Sequence, residues 1–226
     1  IGVNSGSLEE DILEKHGYPT AEALYESAIR HVGICDEFDF RDVIISVKST
    51  DVRLMIEAYR LVAARTDIPL HLGVTEAGLT RVGTIKSAVG IGTLLAEGIG
   101  DTIRVSLTDD PLKEVEVGKE ILRSLGLASR NIELIACPTC GRLEVDLFGI
   151  MAQLEERLQG IKKPVKIAVL GCVVNGPGEA SEADIGIAAG KGVAILYRKG
   201  EMIKRVKESE IVDTIVEEVA NFKPEA

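Results

Sequence analysis

The sequence predicts two modules in one chain: a parallel α/β sheet of four strand–helix units over residues 1–126, then an α+β module over residues 127–226. Three observations predict it. Short β-branched runs alternate with helix-period runs four times in the first part. After Gly126 that alternation gives way to mixed elements, and one pair of later runs is spaced like a hairpin.

Taken in order, Ile1-Gly2-Val3-Asn4 reads as the end of a buried strand. Ser7 before Leu8-Glu9-Glu10 reads as a helix cap with acids in the first turn. Thr20 to His31 carries apolar residues at Ala21, Leu24, Ala28 and on to Val32, a helical period. Val43 to Lys48 is a β-branched strand, and Asp51 starts a helix with Met55, Tyr59, Val62 and Ala63 on one side. Leu70 to Glu76 is the third strand, followed by a small-residue helix from Val82 to about Glu97. Thr102 to Leu107 is the fourth strand, and Pro111 opens a helix that Gly126 stops. In the second module a strand leads to Cys137, a helix runs from about Leu147 to Leu158, and a strand from Val165 leads to Cys172. Asp184–Ala188 and Val193–Tyr197 are strands joined by Gly190-Lys191-Gly192, and an amphipathic helix from Ile211 to Val219 closes the module.

Composition narrows the possible partners. A chain of 226 residues with 46% hydrophobic residues can bury a sizeable core. A formal net charge of −10, with no long Lys/Arg run, argues against nucleic acid. The apolar runs are far shorter than the roughly 18 to 20 residues of a membrane span. Four cysteines without a signal pattern point to a reducing compartment, the cytoplasm, where clustered thiols serve as metal ligands or redox groups.

Three of those cysteines organise the chain. Cys137 and Cys140 are two residues apart, a spacing that lets both sulfurs face one metal centre, and Cys172 follows 32 residues after Cys140. Cys172 ends the run Val165 to Leu170 and precedes a glycine-rich turn, Asn175-Gly176-Pro177-Gly178, that delivers Glu179. If the two strands are neighbours in one sheet, three thiolates and a carboxylate meet at one place. In the first module, polar residues end each strand: Asn4, Lys48, Glu76 and Ser106. Lys and Arg beside a carboxylate there would suit an anionic small molecule, with Glu76 placed for acid or base work.

Ile1 to Asn4, His71 to Gly78, Glu97 to Thr102, Ala136 to Cys140 and Gly171 to Ala180 together resemble the bacterial 4-hydroxy-3-methylbut-2-enyl diphosphate synthases, in order along the chain. The resemblance implies the last four βα units of a (β/α)8 barrel followed by a sulfite-reductase-like α+β domain that holds a [4Fe–4S] cluster. It implies reductive opening and dehydration of 2-C-methyl-D-erythritol 2,4-cyclodiphosphate in the non-mevalonate isoprenoid pathway, with flavodoxin or ferredoxin as electron donor. Cys137, Cys140, Cys172 and Glu179 would then be cluster ligands, the displaceable carboxylate leaving one iron open as a Lewis acid. Glu76 would be an acid/base residue, Asn4, Lys48, Arg104 and Ser106 would hold the diphosphate, and Asn175 would bind substrate beside the cluster. The two sites would meet across a homodimer. The resemblance places Ile1 at about the fifth barrel strand, so the chain is expected to be a C-terminal fragment, inactive alone and unstable unless it associates.

Other readings stay open on the residues themselves. Cys137-Pro138-Thr139-Cys140 is also a dithiol oxidoreductase spacing, the same donors could hold structural zinc, and the chain could be a catalytically silent binding module. His71 reads equally as a satisfied interior histidine, and Cys35 as a helix-packing residue.

Overall fold

The protein is described by a computed structural model covering residues 1–128, 131–172, 174 and 176–223. It divides into two compact units, Ile1–Ala128 and Ser129–Ala226.

In the first unit four short strands run parallel: β1 (Gly2–Asn4), β2 (Ser46–Lys48), β3 (His71–Leu72) and β4 (Thr102–Ile103). β1 pairs with β2 and β3 with β4. One bridge, Ile45 to Leu70, joins the two ribbons in sequence order. The helices are α1 (Glu10–His16), α2 (Ala21–Glu37), α3 (Val52–Arg65), α4 (Thr80–Ala96) and α5 (Pro111–Ser124). From α2 to α5, consecutive helices pack on one another. Alternation does the sorting: Val3, Ile45, Val47, Leu70, Leu72 and Val105 turn toward Leu24, Met55, Tyr59, Val62, Ile91 and Leu94. Burying each such side chain contributes roughly 1.5–3 kcal/mol.

The gap between the ribbons has a chemical cause. Beyond the Ile45–Leu70 bridge the Tyr59 hydroxyl reaches from α3 to the strands, donating to the His71 carbonyl at 2.6 Å and lying 3.3 Å from Ser46 Oγ. Ser46 Oγ donates to the same carbonyl at 2.9 Å. That carbonyl is therefore satisfied by side chains where a continuous sheet would offer it a backbone amide. Burial pushes the Tyr59 phenol up to about 12, keeping it a donor at neutral pH.

The second unit is one five-stranded sheet in sequence order: β5 (Ile132–Ala136), β6 (Val165–Leu170), β7 (Ile185–Gly190), β8 (Val193–Arg198) and β9 (Glu201–Lys207). β5, β6 and β7 are parallel; β8 and β9 are antiparallel to their neighbours. The helices α6 (Leu147–Leu158) and α8 (Ile211–Asn221) cover one face, where Ile167, Val169, Ile187 and Leu196 meet Leu154, Ile215 and Val219. The short helix α7 (Gly176–Ser181) lies on the other face, where Ala180 packs with Leu170 and Ala188. It sits so close to β7 that a Cβ on Gly186 would stand 2.7 Å from the Ala180 carbonyl carbon and 2.8 Å from the Ala180 Cβ.

Several expectations need correction. Ser7 does not cap α1: it lies in a short 3-10 turn, and its hydroxyl donates to the Asn4 carbonyl at 3.5 Å, while α1 starts after Glu9 with no side-chain cap. The third and fourth strands, expected over Leu70–Glu76 and Thr102–Leu107, each pair over only two residues. The glycine turn before Glu179 is instead the start of α7, and β9 was not anticipated.

Candidate active site

In the first unit the backbone gathers cations. Asn4 and Lys48 are register partners at the ends of β1 and β2. One position past the Leu72–Ile103 pair come Gly73 and Arg104, and the Arg104 amide donates to the Leu72 carbonyl at 2.8 Å. Gly73 is what makes room: a Cβ there would lie 2.9 Å from the Arg104 carbonyl oxygen, 3.3 Å from Lys48 Cε and 3.7 Å from Lys48 Nζ. The half-buried Lys48 is held below its usual range by burial and then by the charge of Arg104. His71 is likewise held low, by burial, then by Lys48 and Arg104, and its Nδ1 lies 2.8 Å from Thr102 Oγ1 across the β3–β4 pair. Among the described residues no acid offsets either group, so the site is a concentration of positive charge suited to an anion.

Glu76 follows on an exposed loop with φ 50°, a left-handed conformation that costs a side-chain-bearing residue roughly 1–2 kcal/mol. The loop is tied at its base by the Thr75 amide donating to the Ser49 carbonyl at 3.3 Å. Ser106 is half-buried past the end of β4, and Asn4 is exposed. Sequence reasoning missed Gly73 and Thr102; a glycine inside a strand run is the signal that pointed to a close approach.

In the second unit, β5 and β6 are parallel neighbours with Ala136 opposite Val169, so Cys137 and the Cys172 loop emerge at the same end. The Gly171 amide donates to Cys137 Sγ at 3.3 Å. The loop after Cys140 is fastened to the same place: the Leu143 amide donates to the Cys140 carbonyl, and the Glu144 amide to the Gly171 carbonyl, both at 3.0 Å. Cys137 packs with Leu170, Ala180 and Ala188, one residue along α7 from Glu179. Cys137 and Cys172 are half-buried, whereas Cys140 and Glu179 are exposed. Asn175 lies outside the described residues. Among the described residues no three His, Cys, Asp or Glu side chains close into an ion-binding cage. The donor set nevertheless fits an iron–sulfur group: soft thiolates on adjoining loops, with a backbone amide already aimed at one sulfur, the kind of hydrogen bond that tunes such centres.

Residues 1–119 match the family model described as the GcpE TIM-barrel domain, and residues 133–221 the one described as the GcpE protein C-terminal domain. The chain is 61% identical over 216 residues to a 4-hydroxy-3-methylbut-2-en-1-yl diphosphate synthase (flavodoxin) of Clostridium perfringens, covering 96% of this chain and 62% of the relative. It is 57% identical over 222 residues to the protein of that name from Clostridium tetani, covering 98% of this chain and 64% of the relative. Against the Geobacillus thermodenitrificans protein of that name it is 55% identical over 225 residues, covering 100% of this chain and 60% of the relative. The chain thus spans less than two thirds of the length of the curated relatives it matches.

Proposed function

The chain belongs to the GcpE family, and from that premise we propose that it is the substrate-anchoring and cluster-holding part of a 4-hydroxy-3-methylbut-2-enyl diphosphate synthase. The reaction takes 2-C-methyl-D-erythritol 2,4-cyclodiphosphate, two electrons and two protons to the open-chain diphosphate and water. The single observation that carries the reading is the parallel β5–β6 pairing, which sends both cysteine-bearing loops to one end of the sheet. On this reading residues 1–126 are the second half of a (β/α)8 barrel and residues 127–226 a sulfite-reductase-like domain.

Cys137, Cys140, Cys172 and Glu179 would hold a [4Fe–4S] cluster. When bound, it would supply electrons and a Lewis-acidic iron to a substrate oxygen. The chain's own residues do the rest. Lys48 and Arg104 neutralise the diphosphate, and Asn4 and Ser106 offer it polar contacts. His71, held below its usual range by burial and then by its cationic neighbours, is oriented through Thr102. Glu76, held in position by its strained backbone, serves as the acid or base. Asn175 would stand beside the cluster.

The relatives' names give flavodoxin as the donor, and we carry flavodoxin, with ferredoxin as the other candidate, to this chain. Homodimer formation is supported by the exposed apolar stripe Val82, Ile85 and Val89 on α4. No helix among the described residues is long and apolar enough to cross a membrane, and cytoplasmic residence remains part of the proposal.

Anaerobic reconstitution tests the reading. A broad absorption near roughly 400 nm that bleaches with dithionite is expected, lost in Cys172→Ser. Glu179→Gln should keep most of the iron and abolish turnover in the full-length enzyme. A colourless protein with stoichiometric zinc, or an active Glu179→Gln enzyme, would refute it.

A further inference from the structure

We propose that the uncovered face of the β8–β9 hairpin is the docking surface for an acidic electron-carrying protein. This rests on the reading that the second unit holds a redox group, and it adds where the donor binds.

The register sorts the hairpin into two faces. Ala194 with Val206 points into the core under α6 and α8. Val193 with Lys207, Ile195 with Arg205, and Tyr197 with Met202 point to the opposite face. On that face α7 packs against β6, β7 and part of β8, and β9 is exposed at every residue but Val206. Val193 is 46% and Met202 62% exposed there. The surface is therefore apolar at its centre and cationic at its border, the composition of a protein contact.

Its charge opposes that of the chain. From Lys191 to Lys207 the hairpin carries six cations and one acid, in a protein of net charge −10, and Arg205 and Lys207 are the two that its register places on this face. Arg198 is taken by Glu218 on the core side, and Lys207 faces Glu210 loosely at 3.8 Å. Among the described residues Lys191 and Arg205 have no acidic partner. Charges on a border strand also deter strand addition. That role does not require the cations to stand across from the exposed Val193 and the half-buried Ile195, as Lys207 and Arg205 do.

The surface is also connected to the candidate cluster loop through a shared packed group. Tyr197 packs on the Leu170, Ala180 and Ala188 group that Cys137 packs on, and Met202 is its cross-strand partner. That group, from β6, β7 and α7, therefore lies between Tyr197 and Cys137, and a donor seated on this face is linked to the cluster loop through it.

The test is binding of flavodoxin to the whole chain by calorimetry at low and high salt, with no turnover required. Arg205→Glu/Lys207→Glu should weaken binding about tenfold or more at low salt and flatten its salt dependence, because opposed surface charge sets association. Lys119→Glu/Lys162→Glu makes the same charge change at exposed positions elsewhere and should alter binding less than about twofold. Arg205→Gln/Lys207→Gln, a milder change, should fall between wild type and the Glu pair. Equal weakening by the two Glu pairs would overturn the docking surface and leave flavodoxin as donor. A wild-type chain that binds no flavodoxin at low salt would overturn both.

Discussion

The contact between Gly186 and α7 sets a sharp test of how the second unit holds the Glu179 segment. Replacing Gly186 with Ala puts a Cβ 2.7 Å from the Ala180 carbonyl carbon and 2.8 Å from its Cβ, where real contacts stay beyond 3.0 Å. The atoms in the way are mostly backbone, so no side chain can swing aside, and α7 must lift or β7 must bend. Overpacking of this kind costs about 1–3 kcal/mol. In a unit of this size that corresponds to a fall in Tm of about 4–8 °C per kcal/mol. Gly178, on the exposed side of the same helix, is the control, since a Cβ there meets nothing within 4 Å. Gly178→Ala should stabilise by up to about 1 kcal/mol through helix propensity. The assay is paired urea and thermal unfolding of both variants, with iron content after anaerobic reconstitution. Gly186→Ala should be less stable and hold less iron per chain, because Glu179 moves with α7. Gly186→Ala and Gly178→Ala of equal stability would refute the close packing.

Four further outcomes follow from the first unit. Lys48→Met should raise the His71 pKa by removing one of the charges that lower it, read by NMR titration; an unchanged value would remove Lys48 from the site. Because the folded His71 binds its proton less readily than the unfolded chain, its linkage destabilises the fold as pH falls from the unfolded value near 6.5 toward the lower folded one; Lys48→Met should narrow that loss in urea titrations at stepped pH. Asp51→Ala should cost about 0.5–2 kcal/mol, since Asp51 Oδ1 accepts from the Arg53 amide at 2.8 Å and the Leu54 amide at 3.2 Å. Tyr59→Phe should cost about 0.5–1.5 kcal/mol and speed hydrogen exchange near His71, because the 2.6 Å hydrogen bond to its carbonyl is lost.

Much of this was legible where local chemistry decides. The Thr20 and Asp51 caps are made as their residue types foretell, with Thr20 Oγ1 accepting from the Ala23 amide at 3.0 Å. α6 runs over Leu147–Leu158, where the apolar period is clean, and Gly192 takes φ 69° in the β7–β8 turn. What was not legible depends on distant partners. β9 has one buried residue, Val206, and exists because β8 offers a partner. α7 begins Gly-Pro-Gly, a turn by composition, and is a helix because Pro is tolerated in a first turn and Ala180 finds the sheet. The β2–β3 side stops at a single bridge because a phenol from α3 takes a carbonyl that a longer ladder would have used. In the site, strand-end polarity located Lys48 and Arg104, but no local pattern couples Gly73 to both.

The Tyr59 hydroxyl has one more effect. Lys48 stands on one ribbon and Arg104 on the other, and past a single bridge the seam between those ribbons is closed by the Tyr59 and Ser46 hydroxyls on the His71 carbonyl and by the Thr75 amide on the Ser49 carbonyl. The spacing between the two cations therefore depends in part on side-chain hydrogen bonds, so a substitution at Ser46 or Tyr59 is expected to reach the site without altering any residue in it.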